Sequence, residues 1–100
     1  MDLKNPVELA RNKINAETAK IFWRELQPNF ASGSTIYVAS SLDMVEVALE
    51  ISRNNQTAVK AWMEKGQLGP VSDQQAAAWI ESDALVWSVV IKPWVLAQNS

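Results

Sequence analysis

The sequence predicts an α+β fold, with four or five helices packed around a small two-stranded sheet in one domain spanning residues 1–100. Three observations carry that prediction. Leu85, Trp87, Val89 and Ile91 alternate with Val86, Ser88, Val90 and Lys92, the period of a strand with one face fully in the core. Thr35-Ile36-Tyr37-Val38-Ala39 is a second short β-prone run and the natural partner of residues 85–92. Elsewhere apolar residues recur at helical spacing. Two strands alone are marginal, so helices are expected to lie on them. Strand direction is left open, because a long helical connection allows either.

Taken in order, Asn5-Pro6 is a helix start, with Asn as cap and Pro at the first helical position. Val7, Ala10 and Ile14 follow at helical spacing. Ala19, Phe22, Trp23, Leu26 and Phe30 extend the stripe at i, i+3, i+4, i+7 and i+11, which predicts a helix to about residue 30. Pro28 is expected to perturb it near Leu26–Gln27, and Ala31-Ser32-Gly33-Ser34 to end it.

Ser40-Ser41 is expected to cap a helix over about Leu42–Arg53. Asp43, Glu46, Glu50 and Arg53 make one narrow polar stripe on it, and apolar residues take the rest of the circumference. A helix this apolar is largely buried, so it is expected to be central. Arg53-Asn54-Asn55 is a turn. Gln56 to Lys65 is helical, with Val59, Trp62 and Met63 inward and Gly66 closing it. Gly69-Pro70 breaks the chain again. Ser72 with Gln75 reads as a capping box for a helix to about Glu81, with Ala76, Trp79 and Ile80 inward. Pro93 is expected to stop the pairing of the final strand.

The composition narrows function by exclusion. The 100 residues contain no Cys and no His. Disulfides, thiolate nucleophiles, sulfur-ligated metals, and Ser–His, Cys–His and His-zinc mechanisms are therefore excluded. The net charge of −2 gives no general attraction to phosphate backbones or anionic lipid. Apolar runs fall short of the roughly 20 residues of a membrane span. Met1 to Pro6 lacks the apolar core of a signal peptide, which leads us to expect a cytoplasmic protein with no membrane partner.

Three groups of residues are candidates for function. Trp94, Val95 and Leu96 form an apolar tail beyond the expected strand. A small domain is not expected to cover it alone, and an exposed apolar patch marks a contact site. Asp43, Glu46 and Glu50 form an acidic face that would suit a hard cation or a basic partner. Their positions equally suit a solvated helix face, with two acids in the first turn and an i, i+3 pair of Glu50 with Arg53. The span Leu42–Leu68 has the outline of a helix-turn-helix with the final strand as part of a wing, which would offer Gln56, Thr57 and Lys60 to nucleic acid. Against that stand Glu64 on the same helix and the lack of any basic stripe. No glycine-rich phosphate loop is present.

Several segments in order look familiar: Trp23-x-Glu25-Leu26, Leu42-Asp43-Met44-Val45-Glu46-Val47-Ala48, Val59-x-x-Trp62 with Gly66, and Asp73-x-Gln75-Ala76-x-x-Trp79. Leu85-x-Trp87-x-Val89-Val90-Ile91-x-Pro93-Trp94-Val95-Leu96-x-Gln98 follows. This pattern, over about residues 14–98, resembles family 2288 of the bacterial domains of unknown function. The resemblance implies a bacterial, stand-alone, cytosolic domain and supplies no activity, cofactor or site residue. The expectation is a non-enzymatic, self-associating protein-interaction or structural module without a cofactor, whose partner is itself or another protein. Nucleic-acid binding is the alternative.

Overall fold

The computed structural model describes residues 5–100 and is α+β, but its sheet has five strands rather than two. Asn5 caps α1 (Pro6–Glu17), its Oδ1 accepting the Glu8 N–H at 2.8 Å. The helix ends at Thr18, whose backbone is extended. The expected continuation to residue 30 does not form. Ala19–Phe22 is instead strand β1, followed by a 3-10 turn over Trp23–Leu26 and the short helix α2 (Gln27–Ala31). Four residues, three of them apolar, fit either period, and here a pairing partner decides it. That partner is β4 (Leu85–Ile91), which runs antiparallel to β1 with Ile21 opposite Val86. The change from 3-10 turn to α-helix falls at Leu26–Gln27, immediately before Pro28.

The other strands are β2 (Thr35–Val38), β3 (Leu68–Pro70) and β5 (Trp94–Asn99), and the sheet order is β1-β4-β5-β2-β3. The two strands expected to pair therefore do not touch. β5 lies between them, antiparallel to β4 and parallel to β2. Pro93 does not stop the pairing. Lys92-Pro93, joined by a cis peptide bond, is the two-residue loop of a β4–β5 hairpin in which Ile91 faces Trp94. Placed in the loop, a residue without an N–H removes nothing from the ladder.

Both faces of the sheet are covered. On one, Val38, Leu68, Val89 and Leu96 pack with Ile14 of α1 and with Met44, Val47, Ala48 and Leu49 of α3 (Met44–Ser52). On the other, Val86, Val95 and Ala97 pack with Trp23, Leu26, Val71, and Ala76 and Trp79 of α5 (Asp73–Glu81). The outcome for β4 follows. Its predicted inward set divides: Val89 is buried and Ile91 half-buried, but Leu85 and Trp87 lie exposed, and Val86 is buried on the opposite face. α3 is central as expected, though its cap is Asp43, whose carboxylate accepts the Val45 and Glu46 N–H groups, and not Ser40-Ser41. Ser72 caps α5 by accepting the Gln75 N–H, as its capping box predicts, but Ile80 points outward. α4 (Gln56–Glu64) is capped by Asn55 and closed by Gly66 at φ +72, a conformation that suits glycine.

Candidate functional site

An open apolar concavity lies where α4 leans over the β2–β3 edge of the sheet, and its volume is about 490 Å³. One wall is a single stripe of α4: Gln56, Val59, Lys60 and Met63, at i, i+3, i+4 and i+7. The floor is the sheet, through Ile36 of β2 and Pro70 of β3, which are register partners. The far wall is Trp94, held there because it faces Ile91 at the first pair of the β4–β5 hairpin. The turn between α3 and α4 closes one end with Asn54, at φ +58, and Asn55, whose side chain is already used as the α4 cap.

α4 explains why this concavity exists. Val59, Trp62 and Met63 give it an apolar face, yet none of its residues is buried. Val59 and Trp62 are half-covered and Met63 is 51% exposed, beside Trp94 at 38%. The helix therefore stands partly away from the sheet and leaves part of its apolar face open.

The predicted site residues divide sharply. Of the tail candidates, Trp94 lines the groove, but Val95 and Leu96 are core residues of β5 on opposite faces of the sheet and offer no contact surface. Of the nucleic-acid candidates, Gln56 and Lys60 line the same groove and Thr57 does not. The final strands cannot serve as a wing, because β4 and β5 are interior strands of the sheet. Trp94, Gln56 and Lys60, singled out for unrelated reasons, thus meet at one place.

The acidic face does not form a cluster. Asp43 is a helix cap, Glu46 accepts from Arg11 Nε at 2.7 Å, and Glu50 accepts from Arg53 at 3.2 Å. Among the described residues no group of three or more acids is placed to hold a metal ion. The Arg11 guanidinium is held above its ordinary pKa, chiefly by its hydrogen bond to Glu46 and then by the charge of that carboxylate. While Glu46 is charged, that stabilisation is present below the ordinary arginine value and is lost as pH rises through the raised one.

A second open apolar corner lies diagonally across the same face of the sheet, at Phe22, Leu85 and Trp87. Two cations cover its rings: Lys20 Nζ is 5.1 Å from the Trp87 ring and the Arg24 guanidinium 4.0 Å from the Phe22 ring. Arg24 also pairs with Asp83. Sequence reasoning missed one structural polar residue. Gln98, 8% exposed, donates through Nε2 to the carbonyls of Ala39 and Leu42 at 2.9 and 2.7 Å. It ties β5 to the loop that leads into α3. The available signal was a glutamine directly after the apolar run Trp94–Ala97.

Comparison with known proteins adds a family and a solved relative. The profile of the family described as protein of unknown function (DUF2288) matches residues 9–99. The chain belongs to this family. Its fold also resembles the NMR solution structure of PA1075 from Pseudomonas aeruginosa, with a TM-score of 0.81 and 36% sequence identity over 99% of this chain and 92% of that one. No curated protein matches the chain. Among the described residues of this DUF2288 chain, no helix is long and apolar enough to cross a membrane.

Proposed function

We propose that this protein is a non-enzymatic interaction module whose contact surface is the groove between α4 and the β2–β3 edge. The single observation that carries the reading is the uncovered apolar side of α4, facing Trp94 across a concavity. An aromatic anchor beside an open apolar wall is the arrangement on which contact surfaces concentrate their binding energy. The residue inventory points the same way. The chain has no His or Cys, and the carboxylates of Asp43, Glu46 and Glu50 are engaged in a cap and in ion pairs, which leaves this face without a free acid–base group. The partner is a protein, with a second copy of this chain as the first to test.

Sedimentation at high micromolar concentration tests this, for the natural chain and for Trp94→Ala. The expected result is association of the natural chain that weakens in the variant. A strict monomer in which Trp94 is shielded from a soluble quencher would overturn the reading.

A further inference from the structure

The groove has an electrical direction as well as an apolar floor. Along α4 its stripe runs from Gln56 and Lys60 to Met63, so polarity falls toward the C-terminal end of the helix. Asn54 adds a second amide at the polar end, and Pro70, Ile36 and Trp94 supply the apolar remainder. Lys60 is the one ionisable side chain on the wall, and no ion pair among the described residues uses it. No acid lines the concavity. A volume of about 490 Å³ lies within the roughly 300–1,000 Å³ of small-molecule sites, where an apolar lining holds the body and a few polar groups fix its orientation.

We infer that the groove binds a small amphiphilic acid, a carboxylate carried on a hydrocarbon body. The carboxylate sits at Lys60 with the amides of Asn54 and Gln56 beside it. The body lies over Pro70 and Ile36 between Met63 and Trp94. An amphiphile with a cationic head is disfavoured by Lys60, and a purely apolar molecule leaves the polar end unused. The inference rests on the groove being the contact surface of the protein, and such a ligand would compete there with a protein partner.

Decanoate, kept below its micellar concentration, is the probe, with decanol and a decyltrimethylammonium salt as head-group controls. Amide and indole shifts of the labelled natural chain are followed by NMR during titration. The expected result is a set of shifts confined to Gly33, residues 54–63, Gly69 and the Trp94 indole, with decanoate binding more tightly than either control. Lys60→Glu is expected to weaken decanoate about fivefold, the weight of one partly exposed charge pair, and to leave decanol unchanged. Equal affinity for decanoate and decanol, no shifts at millimolar decanoate, or shifts centred on Phe22, Leu85 and Trp87 would each overturn the inference. The last outcome is a stringent control, since Lys20 and Arg24 give that corner cations too. Association of the natural chain that Trp94→Ala weakens, with decanoate silent, would sink the ligand and leave the interaction module standing.

Discussion

The two faces of the sheet use tryptophan in opposite ways. On the α5 side, Trp23 and Trp79 are buried at 0% and 3% exposure, with ring centroids 4.9 Å apart, and Phe30 meets Trp23 edge-on at 5.7 Å. On the α3 side, Trp62, Trp87 and Trp94 sit at the margins, each still partly in solvent. The difference lies in what covers each face. One face is closed by the large aromatic side chains of the 3-10 turn, α2 and α5, whose rings fill its space. The other is closed in its middle by the near-wholly apolar α3, and α1 and α4 flank it without reaching both corners. Rings on the first face hold the fold together, while rings on the second remain partly in solvent.

Substitutions rank the two faces. Trp23→Ala should be the most damaging, at about 3–5 kcal/mol in urea unfolding, since it empties the centre of the aromatic cluster. A loss below 1 kcal/mol would show that this side is not sealed. Leu49→Ala, under the middle of the opposite face, should cost about 2–5 kcal/mol, and an unchanged melting temperature would place α3 outside the core. Gln98→Leu should cost about 1–3 kcal/mol by leaving the Leu42 carbonyl without its donor and that of Ala39 with only the Leu42 N–H. Hydrogen exchange should then quicken around Ala39 and Leu42 before it does in β4. Trp94→Ala should cost least, about 1 kcal/mol or less, because much of the ring is already in water. A cost as large as that of Trp23 would erase the contrast between sealed and open tryptophans.

What was legible in the sequence depended on local signals. Asn5 and Ser72 announce their helices through side-chain chemistry that acts within three residues. α3 declares its burial through its circumference. β1 was hidden because Ala19, Phe22, Trp23 and Leu26 fall at helical spacing, and only the distant β4 makes Ala19–Phe22 extended. β5 was hidden by Pro93, which reads as a terminator when the pairing across the hairpin is unknown. β3 is three residues long and contains glycine and proline, so no periodicity can reveal it. The groove is half visible: Trp94, Gln56 and Lys60 each stand out in the sequence, but their meeting depends on β5 entering the sheet next to β2. The helical pattern turns Met63 inward, but a pattern cannot show that a helix stops short of the surface it faces.

The position of β5 bears on how the molecule is made. Residues 94–99 lie between two strands that leave the ribosome earlier, β2 much earlier, and neither strand can pair on that side until the last one is delivered. The sheet therefore cannot close before Asn99 has been translated, and until then β4 and β2 each keep an unpaired edge on the side that β5 will fill. A stalled ribosome that still shelters Trp94 to Asn99 would hold a nascent polypeptide unable to close its sheet.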